Sequence, residues 1–298
     1  MQSPVPLVLD TDLGTDIDDT WALAMVLKSP ELDLRLVVAA DGDTTYRARL
    51  AAKLLDSWGR SDVAVGVGPP GAPTPSPQQA AIRDFELDDY PGEIHRDGVD
   101  ALIQTLMEAE RPVALVAIGP LTNVAEALRR EPRIAERARL IGMHGSVRLG
   151  YRASSEIAAE YNVVRDISAC QQAFAAPWSV TITPLDSCGA LYLRGDDYAR
   201  LRQSEDPLAR SLLEHYGAWL DAVRGSRELL ERRSTTLYDC AAVQLAIDEE
   251  PFVIEDLGIS VDDQGFTRID ESGKQLRVAT GWTDLAAFHE SLVDRLLG

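Results

Sequence analysis

Five carboxylates fall within the ten residues Asp10-Thr-Asp12-Leu-Gly-Thr-Asp16-Ile-Asp18-Asp19. They follow the apolar run Val5–Leu9 and precede the helical pattern Thr20–Leu27. One or two acids are expected in such a place, because Asp caps a helix N-terminus and its charge suits the helix dipole. Five acids packed together repel one another and call for a counter-cation. Their hard oxygen donors suit Ca2+ or Mg2+. The plain alternative is helix capping plus solvation. An EF-hand starting at Asp10 is excluded, since it needs Gly at its sixth position and Glu at its twelfth. Thr15 and Trp21 stand there.

The loop must be held by the elements around it. Strand-like apolar runs occur at Val5–Leu9, Leu34–Ala40, Val63–Val67, Val113–Ile118, Leu140–Met143 and Ser179–Thr183. Helical patterns lie between them at Thr20–Leu27, Arg47–Trp58, Val99–Glu110, Leu121–Arg129 and Asp166–Phe174. Continuous apolar strands alternating with helices predict an α/β fold with a mostly parallel central sheet flanked by helices. The last third reads as a largely α-helical C-terminal region. Helices are expected at Asp196–Gln203, Pro207–Val223, Tyr238–Ile247 and Asp284–Leu297, with short strands near 252–254, 258–261 and 276–280. No linker divides the chain, so residues 1–298 read as one domain. Long loops are expected from Pro69 through the Pro-rich run to Gly98, and at Gly145–Glu160. Ligands of a parallel sheet bind beyond the carboxyl ends of its strands. Asp10–Asp12, Asp41–Asp43, Gly119–Asn123 and Met143–Ser146 all stand at such ends.

A phosphatase of the haloacid dehalogenase type also carries Asp-x-Asp after its first strand, with Mg2+ and the first Asp as nucleophile. Such enzymes usually follow with Thr or Val where Gly14 stands, and use a basic residue, normally Lys. None of Lys28, Lys53 and Lys274 is well placed for that role.

With Asp10, Asp12, Gly14 and the pair Asp18-Asp19, the loop resembles the signature of the inosine–uridine-preferring nucleoside hydrolase family, expanded by two residues. Four further segments resemble the family's in the same order. They are Gly119-Pro-Leu-Thr-Asn123, Met143-His144-Gly145, Glu160-Tyr161-Asn162 and Tyr238-Asp239. The resemblance implies Ca2+-dependent hydrolysis of a ribonucleoside to base and ribose. It implies metal ligands at Asp12, Asp19, the Thr122 carbonyl and Asp239, with Asp10 supporting them. Asp12 becomes the base that activates water, and Asp18, Met143, Glu160 and Asn162 contact the substrate. A homodimer or homotetramer is implied as well.

The chain departs from that pattern in several places. Asp43 stands near the family's Gly-Asn, as an added sugar or metal contact or as a plain turn residue. Tyr238 replaces a His that protonates the leaving base, and a phenol with pKa near 10 is a weak acid at neutral pH. His95 or His144 is the expected substitute, and Trp219, on the helix 212–219, is the expected base contact. If catalysis went with the lost His, the chain would instead be a nucleoside- or ribose-binding protein.

Composition bounds the rest. Twenty-nine basic against 48 acidic residues give a net charge of −19, which opposes nucleic-acid and anionic membrane partners. Three scattered cysteines make no disulfide framework. The N-terminus lacks a basic region and a long apolar run, so a cytoplasmic protein is expected.

Overall fold

The computed structural model describes residues 3–298. Ten strands form one sheet: β1 (Val5–Thr11), β2 (Leu32–Ala39), β3 (Ala64–Val67), β4 (Ile94–His95), β5 (Val113–Ala117), β6 (Ala138–Gly142), β7 (Val180–Ile182), β8 (Phe252–Val261), β9 (Thr267–Ile269) and β10 (Lys274–Trp282). Their order across the sheet is β4-β3-β2-β1-β5-β6-β7-β10-β8-β9. The strands from β4 to β7 pair in parallel, and β10 continues parallel to β7. β8 and β9 add an antiparallel flank.

Twelve helices accompany the sheet: α1 (Asp18–Leu27), α2 (Thr44–Ser57), α3 (Gly98–Glu108), α4 (Thr122–Arg130), α5 (Tyr161–Arg165), α6 (Ile167–Ala175), α7 (Leu185–Cys188), α8 (Gly195–Arg202), α9 (Pro207–Ala222), α10 (Glu228–Arg232), α11 (Tyr238–Ile247) and α12 (Leu285–Leu297). Strand side chains alternate between two cores. Leu7, Leu9 and Val37 face one side, with α1, α2, α11 and α12. Val8, Leu36 and Val38 face the other, with α3, α4 and α6. Both faces are therefore covered, which is why these strands read as unbroken apolar runs.

The C-terminal third carries the four expected helices, with α10 added, and more strand than its sequence suggests. The two short strands expected near 252 and 258 are one ten-residue strand, β8. The polar stretch Glu255-Asp256 reads as a break because that part of β8 is only half-covered. At Gly258 a Cβ would lie 2.1 Å from the Asp270 carbonyl oxygen, so only glycine admits the neighbouring turn.

Candidate active site

The acidic loop begins while β1 is still paired. The Asp10 carbonyl accepts from Ile118 N–H at 2.8 Å, which brings the ends of β1 and β5 together. At Gly119 a Cβ would stand 2.7 Å from the Asp12 nitrogen, so the approach needs glycine. Gly14 turns the loop at φ +113°, with its carbonyl held by the Tyr46 hydroxyl at 3.0 Å. Asp18 and Asp19 then fall in the first turn of α1, and Asp239 in the first turn of α11. Two packed helices thus aim their N-termini, the positive ends of their dipoles, at one place.

A cavity of about 270 Å3 opens there, beyond β1, β5 and β6. That is slightly below the range of about 300–1,000 Å3 usual for small-molecule sites. Asp12, Asp16, Asp18, Asp19, Glu160 and Asp239 supply its acids, and Ile118, Met143 and Asn162 lie among them. Tyr151, Tyr161 and Tyr238 complete the wall. Tyr151 and Tyr161 are 39% and 41% exposed and so mark the mouth.

The floor is crowded with buried charge. Oxygen atoms of Asp18, Asp19 and Asp239 lie within 4.8 Å of one another. At that separation each like-charged pair repels by about 3–4 kcal/mol at an effective dielectric of about 20. Burial first, then repulsion from neighbouring carboxylates, Asp12 among them, pushes all three carboxyls well above their ordinary range. Burial also raises Asp12 to about 6, although the Arg47 guanidinium opposes the shift. Asp10 is raised to about 7 by burial, against a 2.7 Å bond from the Asn123 amide. Its other carboxylate oxygen is buried without a partner. Converging carboxylates with unmet acceptor capacity, opposed by the one guanidinium of Arg47 beside Asp12, fit a hard divalent cation.

The groups on the wall beside these acids are tightly fixed. Glu160 accepts from the N–H groups of Gly145, Asn162 and Val163 at 2.8–3.2 Å. Burial nevertheless pushes its carboxyl to about 7. The Asn162 amide donates to the Ile118 and Met143 carbonyls, at 3.1 and 3.0 Å, which leaves its own oxygen free to accept.

Two arginines brace these segments. Arg47, 1% exposed, donates to the Asp41 and Leu13 carbonyls at 2.6 and 3.1 Å and to the Thr74 hydroxyl at 3.1 Å. Its Nη2 stands 3.8 Å from Asp12. Arg165 makes a two-pronged pair with Asp41, at 2.7 and 2.8 Å, and donates to the Ala72 carbonyl. The Pro-rich loop is therefore tied to β2 and to α5 beside the cavity. Asp41 itself sits at φ +60°, uncommon for a residue with a side chain.

Asp12, Asp18, Asp19, Met143, Glu160, Asn162, Tyr238 and Asp239 are brought together at the cavity, and Asp10 lies buried behind them. Five other expected residues are not. The Thr122 hydroxyl donates to Asp166 at the start of α4, and the residue at the end of β5 that borders the cavity is Ile118. Asp43 is an exposed cap of α2, accepting from Tyr46 N–H; the buried acid of that turn is Asp41. His95 lies on β4, the sheet edge, near Glu93. His144 points into the interior, 3.0 Å from the Gly119 carbonyl and edge-on to Phe174. Burial lowers its pKa to about 4, so it is neutral at neutral pH. Trp219 stands behind the wall, donating to the Thr15 carbonyl and stacked on Tyr216.

Sequence reasoning missed Thr15, Asp16, Tyr151, Tyr161 and Ile118 as lining residues, and Asp41, Arg47 and Arg165 as supports. Asp16 was legible as one of the five loop acids. Arg47 carried no signal, because a buried arginine in a helix looks like any surface one.

Known proteins align with this arrangement along nearly all of the chain. A family model described as inosine-uridine preferring nucleoside hydrolase matches residues 7–290. The pyrimidine-specific ribonucleoside hydrolase RihA of Enterobacter sp. (strain 638) is 28% identical over 280 residues, which cover 88% of this chain and 85% of RihA. The non-specific ribonucleoside hydrolase RihC of Salmonella agona is 29% identical over 285 residues, covering 89% and 86%. Among solved structures, the plant nucleoside hydrolase PpNRh1 superposes with a TM-score of 0.81 at 21% identity, covering 99% of both chains. The purine-preferring ribonucleoside hydrolase from Gardnerella vaginalis gives 0.77 at 23%, covering 98% of both. At such identities the solved structures establish the shared fold.

Proposed function

The chain belongs to the inosine-uridine preferring nucleoside hydrolase family and is a glycosyl hydrolase, and on that premise we propose that it cleaves ribonucleosides with a Ca2+ ion at the floor of the cavity. Asp12, Asp19 and Asp239 would hold the ion, with the Ile118 carbonyl as a neutral ligand in place of Thr122. When bound, the cation supplies positive charge that draws in the sugar hydroxyls and makes water more acidic. The observation that carries this reading is the convergence of buried acids beside the polar wall of Glu160 and Asn162.

The chain's own groups divide the work. Asp12 takes a proton from the attacking water as general base. Asp18 accepts from a ribose hydroxyl. Glu160, with three N–H partners on two oxygens, keeps room for one more donor, and the free Asn162 oxygen accepts another. Such a site rejects sugars that lack those hydroxyls, because its buried acceptors would then be left unpaired. Assembly as a homodimer or homotetramer, and a salvage role in the cytoplasm, follow from the same resemblance.

Reducing-sugar release from a panel of ribonucleosides, with Ca2+ and with chelator, tests the reading. Asp12→Asn should lower kcat on the order of 10²–10⁴-fold. Release that ignores both chelator and Asp12→Asn would overturn it.

A further inference from the structure

The cavity is divided by chemistry. Carboxylates and the Asn162 amide crowd its floor, where a sugar finds hydroxyl partners. The mouth is phenolic. Tyr151 and Tyr238 meet edge to face, with ring centroids 6.2 Å apart. The Tyr151 hydroxyl accepts from Tyr161 N–H at 3.0 Å, which leaves its own proton to donate. A ribonucleoside with its sugar on the floor places its base among these three rings.

Among the described residues, no histidine, lysine or arginine lines this cavity. His144 is sealed inside, and His95 is at the sheet edge. His215 is on α9 and His289 on α12, elements that contribute no lining residue. An ordinary phenol, with pKa near 10, donates hydrogen bonds but does not protonate a base at neutral pH.

Given the hydrolase reading, on which this rests, we infer that the leaving base is stabilised by phenol hydrogen bonds at the mouth of the cavity and is not protonated by the enzyme. Water's oxygen forms the new bond to the anomeric carbon as the carbon–nitrogen bond breaks. In uridine the bonding pair leaves with the base nitrogen and spreads onto the adjacent carbonyl oxygen; in adenosine it spreads over the purine ring nitrogens. The uridine carbonyl oxygen accepts from Tyr238, with Tyr151 as its neighbour. The water proton passes to Asp12, and the departing base takes a proton from solvent.

The test is a leaving-group series on the Ca2+-loaded full chain: dinitrophenyl, nitrophenyl and phenyl ribosides, with uridine and adenosine. kcat/KM should fall by roughly tenfold for each unit rise in leaving-group pKa, with uridine and adenosine on the same line. Tyr238→Phe should cost about tenfold more on uridine than on the dinitrophenyl riboside. A series indifferent to leaving-group pKa would overturn the inference and point to an enzymic acid, for which Asp16 is the remaining pocket carboxyl. Equal losses on both substrates in Tyr238→Phe would overturn the role of that hydroxyl. If no riboside in the series is cleaved, the hydrolase reading itself fails, which is a separate result.

Discussion

Acidifying the metal-free protein from about pH 7.5 to about pH 5 should stabilise it, the reverse of ordinary acid destabilisation. Asp10 and Glu160, both pushed up to about 7, take up protons in the folded state within that window. The same groups in the unfolded chain titrate near 4 and do not. A carboxyl with a raised pKa adds stability as pH falls through the folded value and loses it as pH rises. At about 1.4 kcal/mol per unit, these two contribute about 4–6 kcal/mol together, and Asp12, at about 6, roughly 1 more. His144 opposes them. Its value is held down to about 4, so the unfolded chain binds that proton first, at a cost of about 2 kcal/mol by pH 5. His215 and His289, also lowered by burial, act in the same direction. Protons shared among neighbouring acids bring the net gain to about 2–4 kcal/mol. Glu126, Glu131 and Glu255, held low by arginines, titrate below the window. Urea unfolding in chelator across this range measures the gain, and Asp10→Asn should remove a large part of it. Ca2+ replaces the protons, so its stabilisation should be larger at pH 7.5 than at pH 5. A metal-free protein that loses stability on acidification, or a Ca2+ effect independent of pH, would refute the reasoning.

Arg47→Met removes a buried cation and strands the Asp41 and Leu13 carbonyls beside Asp12. It should cost about 3–5 kcal/mol in urea unfolding. Arg47→Lys should recover only part, because an ammonium cannot span those acceptors. His95→Ala should leave kcat within about twofold of the parent, since its only ionic neighbour is the exposed Glu93, a pair of little worth.

The parallel half of the fold was legible because each strand is buried on both faces and each helix is flanked by turn chemistry. β1, β5, α2 and α4 appear within a few residues of their expected bounds. The acids of the floor were legible too, since five in ten residues exceed any capping need. What failed was choosing between residues one or a few positions apart. Asp41 and Asp43 are both acids at one strand end, and only the φ of Asp41 and its pairing with Arg165 separate them. Ile118 lies at the cavity through the end of its strand, and no side-chain chemistry announces it. His144 looked functional by type, yet its direction is set by the turn after β6 and by the space beside Phe174.

The two outermost strands of the sheet are β4, of two residues, and β9, of three. A neighbouring chain that approached β4 would find too little open ladder to extend, whereas β9 pairs with only Ile259–Val261 of β8 and leaves the first part of that strand without a strand neighbour on its outer side. The charged residues Glu93 and Arg268 flank or occupy those short stretches. Growth by strand addition is thereby closed at the β4 margin, and at the other it falls on the stretch of β8 that carries Glu255 and Asp256. An assembly that uses the β4 side of the molecule must be built from helix and loop surfaces, whose shape limits how many subunits can join.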